Sequence, residues 1–175
     1  MSQRVWFVVY PPEEERRLVN RLPEFEIATR DEGLSWHRID LSSAFADWMD
    51  TFDAEERADF LAVPDIVETY ADPGFADYLA GRLRLTLDSV PPADAVQTVF
   101  AVTGLMELYD FVQVSAVLDA LERSGGVPLP SSPGLNAPAP IVALFFPGER
   151  EGNTYRFLGA RTGWNYLATP ILTDA

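Results

Sequence analysis

Gln97-Thr98-Val99-Phe100-Ala101-Val102-Thr103-Gly104 is the stretch whose reading decides the fold. Its β-branched and apolar run is too short for a helix and reads as a buried strand, and the Thr-Gly pair supplies a tight turn at its end. Beyond the turn, Leu108, Phe111, Val112, Ser115, Leu118 and Leu121 recur at three- and four-residue spacing. The spacing predicts strand, tight turn and one long amphipathic helix that stops at Gly125-Gly126.

The same alternation repeats on both sides. Upstream, Arg4 to Tyr10 (R-V-W-F-V-V-Y) predicts a central buried strand, stopped by Pro11 and Pro12, which have no N–H to give to a ladder. Glu13-Glu14-Glu15 opens a helix whose positive N-terminal end the carboxylates complement, with Leu18, Val19 and Leu22 as its stripe and Pro23 as its end or bend. Leu34 to Leu41 predicts a second strand packed through Trp36, Ile39 and Leu41. Ser42-Ser43 supplies an N-cap for a helix carrying Phe45, Trp48, Met49 and Phe52.

Ala54 to Leu87 predicts two more helices, divided near Pro64-Asp65 and interrupted at Asp72-Pro73-Gly74. Leu79, Leu83 and Leu87 should lie on the sheet, and Pro91-Pro92 closes the segment. Downstream, a Pro/Ser/Gly-rich stretch ending at Pro140 reads as a mobile surface loop, and Ile141 to Phe146 as a buried strand. Pro147-Gly148 should turn the chain out, and Tyr155 to Leu158 should return through a Gly152-Asn153 turn as an edge hairpin. Strands alternating with helices imply an α/β protein: three layers, a mostly parallel sheet with helices on both faces, and a C-terminal hairpin.

Composition narrows the function. A chain of 175 residues, 47% hydrophobic and 23% charged, fits one domain spanning 1–175 with enough apolar material to close a core. Cysteine is absent, which excludes disulfides, thiolate metal sites and a cysteine nucleophile, and fits the reducing cytoplasm. The apolar N-terminal run ends at Pro11, too soon to span a bilayer and with no cleavage site after it, so neither membrane anchor nor signal peptide is expected. The formal charge is −14, which repels phosphate backbones, and direct nucleic-acid binding is not expected. All 13 basic residues are arginines, whose planar fork suits carboxylates on proteins.

Four features invite a chemical reading. His37 is the only histidine, so triads and multi-histidine metal sites would have to be built around it alone, and a structural imidazole on a strand is the better reading. Asp47, Asp50, Asp53, Glu55, Glu56 and Asp59 lack the glycine and alternate-ligand pattern of a calcium loop and read as a solvated helix face that a basic partner could meet. Thr103 and Gly104 sit where a strand-to-helix turn would aim amides at an anion, yet no phosphate-loop or dinucleotide motif surrounds them. Pro147-Gly148-Glu149-Arg150-Glu151-Gly152 puts charge at the sheet's carboxyl end, where α/β folds place sites, and Glu149 and Arg150 are the best local contact candidates. The plain alternative there is a Glu–Arg pair within a turn. These readings give no catalytic residue, no metal and no cofactor.

Val99-Phe100-Ala101-Val102-Thr103-Gly104, continuing through Leu108-Tyr109-Asp110-Phe111-Val112 and Val117-Leu118, resembles the strand, T-G turn and helix of the BrxB family of BREX bacteriophage defence. Phe145-Phe146-Pro147-Gly148-Glu149-Arg150, Phe157-Leu158-Gly159 and Asn165-Tyr166-Leu167 are similar to that family's F-Y-P-G-E-Y, L-F-G and N-Y-Y stretches, so the likeness covers roughly residues 97 to 168. Gln113 and Leu167 or Ala168 stand where the family carries basic residues, and the stretch between Gly125 and Pro140 is an insertion. The resemblance therefore implies no anion-binding role at those substituted positions.

What the resemblance implies is a small antiviral-defence protein, without an established catalytic activity, that works beside a methyltransferase, an AAA-type ATPase and the alkaline-phosphatase-like PglZ. A non-catalytic scaffold or regulator binding a PglZ-like protein, with other BREX components as further partners, is the expectation. The alternative is a nucleotide-binding sensor or phosphoester-processing enzyme using the Thr103-Gly104 turn with Glu149. A third is a toxin–antitoxin or phage-evasion protein whose acidic face mimics nucleic acid.

Overall fold

A computed structural model of the chain describes residues 4–62, 64–123, 140–152, 154–157, 164–165 and 169–172. Strand β1 (Val5–Tyr10) leads through a 3-10 turn into helix α1 (Glu15–Asp31), then β2 (Ser35–Asp40), α2 (Ala44–Met49), α3 (Ala54–Ala62), α4 (Pro64–Asp88) and the short α5 (Pro92–Ala95). The chain continues as β3 (Thr98–Thr103), α6 (Val114–Arg123), β4 (Ile141–Glu151), β5 (Thr154–Phe157), β6 (Trp164–Asn165) and β7 (Thr169–Leu172). The order β2-β3-β4-β1-β7 is parallel throughout, while β5 and β6 hang from β4 as antiparallel strands. The expected α/β architecture is therefore present.

Parallel strands covered on both faces need apolar side chains in both phases of the pleat. All six residues of β3 and the first eight of β4 are accordingly buried, whereas edge strand β2 buries only Ile39 fully. On one face Phe7, Ile39, Phe100, Leu144 and Phe146 meet Leu79, Leu83 and Leu87 of α4 together with Val117 and Leu118 of α6. On the other, Val8, Tyr10, Ala101 and Phe145 meet Leu18 and Leu22 of α1.

Proline and helix-stripe readings needed correction. Pro23 does not end the expected helix, because α1 continues to Asp31. The proline faces water, where the carbonyl it leaves unbonded can be hydrated, and Phe25 just beyond it packs edge-on against Phe145 at 5.4 Å. The chain also stays helical through Asp72-Pro73-Gly74. Burying Phe75, Ala76 and Leu79 immediately afterwards contributes several kcal/mol, on the order of 1.5–3 per large side chain, against a proline cost of about 3. Residue 63, at the division expected near Pro64, lies outside the described residues.

The long helix expected after Gly104 is instead a 3-10 turn at Met106–Leu108, irregular chain, and α6 from Val114. Phe111, expected to lie on the sheet-facing stripe, stacks on Phe45 at 3.7 Å, and that detour breaks the helix. Ser43 is the N-cap of α2, but its side chain bonds Asp47 and caps no backbone amide, while Phe52 lies beyond the helix.

Pro147-Gly148 does not turn the chain out of β4. The strand passes through both to Glu151 and changes partner there: Tyr10↔Pro147 is the last parallel pair with β1, and Gly148↔Phe157 opens the antiparallel pairing with β5. Proline's missing donor suits a point where the ladder changes hands. Gly148 is required because a Cβ there would lie 2.1 Å from the Arg156 carbonyl oxygen. The Gly152 turn has positive φ (62°), as a tight hairpin needs. Strands β6 and β7 were not expected, and β7 forms the sheet's outer edge beside β1. The Gly125-Gly126 stop, the Pro/Ser/Gly-rich stretch, Asn153 and Leu158 lie outside the described residues. Among the described residues no helix is long and apolar enough to cross a membrane.

Two glycines should respond oppositely to alanine. Gly81, exposed in α4 with nothing within 4 Å of an added Cβ, should gain about 1 kcal/mol as Ala, raising the melting temperature by roughly 2–4 °C. Gly148→Ala should lose about 1–3 kcal/mol through the clash with Arg156, and urea unfolding of the two variants checks both signs.

Candidate functional site: the carboxyl edge of the sheet

The strands end on a cluster of polar groups on the α1 face. Buried Tyr10 closes β1, and its hydroxyl donates a hydrogen bond to Glu15 Oε2 in the first turn of α1. Arg38 and Asp40 reach the same edge from β2, where register pairs them with Ala101 and Thr103. Arg38 Nε donates to Thr103 Oγ1 at 3.1 Å and its Nη2 to Asp40 Oδ2 at 2.7 Å. Asp40 Oδ1 accepts from the Ser42 amide at 3.0 Å, an Asx-type turn that leads into α2.

Glu15 and Asp40 are shifted in opposite directions. Burial pushes the Glu15 carboxyl above the ordinary range; the Tyr10 hydrogen bond works against this, and the negative charges of Glu107 and Asp40 reinforce it. Burial also pushes Asp40 upward, but hydrogen bonds from Ser42 and the positive fields of Arg38 and Arg82 outweigh it and hold its carboxyl low. Burial and the bond to Glu15 raise the Tyr10 phenol, which stays protonated.

Thr103 and Gly104 sit inside this network. Gly104 has φ 79°, and a Cβ there would meet the Ser42 amide nitrogen at 2.4 Å and Asp40 Oδ1 at 3.0 Å. Leu41 N also donates to the Thr103 carbonyl at 2.9 Å, so the β2–α2 connection is pressed flat onto the turn. The helix expected directly after Gly104 begins only at Val114, so the strand-to-helix turn expected to present that helix's amides here does not form. The Thr103 hydroxyl already has Arg38 as its partner.

Glu149 and Arg150 lie elsewhere. Register Val102↔Leu144 puts Thr103 level with Phe145, and Glu149 stands four residues further along β4, so the two candidate pairs do not form one constellation. The last pair with β1 is at Pro147, and β4 runs on to Glu151, overshooting both neighbours as a ridge. In α/β sheets a ligand crevice opens where adjacent strands send their connections to opposite faces. Here β1 is followed by α1 on one face and β3 by α6 on the other, and β4 with its hairpin rises between them. Tyr155, 1% exposed, seats the hairpin edge-on against Phe7 at 4.6 Å and Phe146 at 6.0 Å.

Within the hairpin, Glu149 faces Arg156 and Arg150 faces Tyr155. Arg156 pairs with Glu151 at 3.4 Å, and the Arg150 guanidinium carbon lies 6.0 Å from the Tyr155 ring centroid. Among the described residues no ion pair joins Glu149 to Arg150, so the simple intra-turn pair is not what forms.

The remaining sequence candidates have structural roles. His37 is exposed on β2 and stacks on Phe100 at 5.4 Å. The acidic run starts α3: Asp53 Oδ1 accepts from the amides of Glu55 and Glu56, both at 2.9 Å, while Glu56 Oε2 accepts from the Asp53 amide, a capping box. Asp50 pairs with Arg57 at 2.9 Å and Asp47 with Arg82 at 2.6 Å. Among the described residues no three His, Asp or Glu side chains converge as metal ligands. The Tyr10–Glu15 pair was not anticipated; the only trace in the sequence is a tyrosine and an acidic run flanking Pro11-Pro12, and the pairing depends on how α1 docks.

The opposed shifts give opposite pH limbs. Glu15, raised on folding, contributes stability that is full below its unfolded value and is lost as pH rises through its folded value; Asp40, lowered, contributes stability lost as pH falls through its folded value. Glu15→Gln keeps an oxygen for the Tyr10 hydroxyl and should match the parent at acid pH, then exceed it increasingly toward neutrality. Asp40→Asn should flatten the acid limb. Urea unfolding of both variants from pH 4 to 7.5 measures the two effects. No family model, no curated protein and no solved structure is found to match this chain.

Proposed function

We propose that this chain is a protein-binding scaffold or regulator of a BREX-type phage-defence system, holding a PglZ-like partner through the β4–β5 hairpin. The observation that carries the reading is the overshoot of β4: where an open α/β sheet would leave a crevice for a small ligand, a hairpin seated by buried Tyr155 rises instead. A ridge with exposed Glu149 and Glu151 is a shape that a protein surface can enclose. The Thr103-Gly104 turn, tightly packed and already hydrogen-bonded, favours a structural use of that turn over a nucleotide cradle. The net charge of −14 and the arginine-only cations support contacts with protein rather than nucleic acid. The membership rests on the residues quoted for the resemblance, most of all the F-F-P-G-E-R stretch that forms this ridge.

Affinity purification of the tagged chain from cells carrying a BREX operon tests the reading. A PglZ-like protein should co-elute at moderate salt, and the Glu149→Arg, Arg150→Glu double reversal should weaken retention roughly tenfold, the effect of losing about 1.4 kcal/mol at a hot spot. Recovery of no BREX component would overturn it, and a concentration-dependent rise in melting temperature with nucleoside triphosphates would replace it with a nucleotide sensor.

A further inference from the structure

Three arginines bury their Nε atom without a hydrogen-bond acceptor among the described residues: Arg57, Arg150 and Arg156. Two of them are engaged elsewhere. Arg57 gives one terminal nitrogen to Asp50 at 2.9 Å and the other to the Phe52 carbonyl at 3.3 Å, and Arg156 gives one to Glu151. The Arg150 side chain has no hydrogen bond and no ion pair among the described residues. It is half-buried, held by packing beside the Tyr155 ring. A guanidinium with a buried, orphaned Nε is costly to hold in a fold, the more so in a chain with 27 acidic side chains available to satisfy it.

Position explains why those acids do not reach it. Strand alternation puts Glu149 and Glu151 on the opposite face of the hairpin, with Arg156 between them to balance their charge. Arg150 shares its face with Tyr155 and Gly148, and the described part of that face carries no carboxylate. We propose that Arg150 is the anchor for a carboxylate of the partner protein, an Asp or Glu side chain or a chain terminus, received by the guanidinium fork beside Tyr155. A planar carboxylate matches that fork with two parallel N–H···O bonds. A phosphate offers the same oxygens but brings more negative charge to a chain already at −14, and is the less favoured source. The inference rests on the hairpin being the contact surface, and it names what that surface takes.

The isolated full-length chain suffices for the test. Arginine Nε–Hε correlations are followed by NMR, the Arg150 signal being the one that disappears in Arg150→Lys. Titration with sodium acetate should move that signal along a saturable curve, sodium chloride at equal ionic strength should not, and inorganic phosphate should act more weakly. An immobile signal in acetate, or a response to phosphate alone, would overturn the proposal. Arg150→Met, which removes the orphaned donor and keeps the packing, should melt at or about 2–4 °C above the parent. A lower melting temperature would make Arg150 a structural arginine and defeat the anchor role. Because no partner is present, a failed anion response is distinguishable from failed co-elution of a PglZ-like protein.

Discussion

Strand β4 lies hydrogen-bonded between β3 and β1, and the rest of the molecule is arranged around keeping that ladder dry on both faces. Water admitted to either face would compete for its amides and carbonyls, so both phases of the strand must be apolar. The two faces meet this demand differently. Toward α4 and α6 the strands present Phe7, Phe100, Leu144 and Phe146. Toward α1 they present small Ala101 and Ala143, and the space above these is filled by Phe25 and Trp36, both edge-on to Phe145. Among the described residues, α1 with its neighbouring aromatics thus lines one face, while α4 and α6, with α2 in the same cluster, line the other.

A ladder buried in this way hands its polar problem to its end. Past the last apolar rung, Tyr10, Arg38, Asp40 and Thr103 emerge together and satisfy one another or the first residues of the following elements. The solution is incomplete for charge. Burial, reinforced by the negative charges of Glu107 and Asp40, makes Glu15 resist ionisation, whereas the Ser42 hydrogen bonds and the positive fields of Arg38 and Arg82 keep Asp40 ionised. The pressed contact between Gly104 and the Ser42 amide belongs to the same closure, since the loops that carry these groups can meet only if one has no side chain at the crossing point.

The strands were legible because their information is local: short β-branched and aromatic runs bounded by Pro and Gly, in an order that implies parallel pairing. What was misread needed knowledge of distant neighbours. Pro23 and Pro73 look like helix breaks until the apolar residues after them are seen to dock. Phe111 fits a helical stripe by spacing, and only Phe45, far away in sequence, draws it out of register. Strand β7, four residues with a proline, has too little pattern to distinguish it from a loop, and its place beside β1 is set by the open edge it fills. At the candidate site, Glu149 and Arg150 were visible as charge after a buried strand, whereas their lack of mutual pairing depends on which face of the hairpin each occupies.

The hairpin follows from the same central strand. Leaving the parallel ladder costs hydrogen bonds unless a new partner takes over at once, and Pro147 followed by Gly148 allows that exchange: the first has no donor to lose, the second admits the Arg156 carbonyl at close range. Continuity of β4 makes the ridge an extension of a strand paired on both sides, and Tyr155 ties its return limb to Phe7 of β1. If this ridge is the proposed contact surface, the entropy of fixing it is already met in folding and less is lost on association. The side chains at its tip alternate, acids with Arg156 on one face and Arg150 beside Tyr155 on the other, so a partner of the proposed kind would have to complement two different faces at once, which would favour one docking orientation over its reverse.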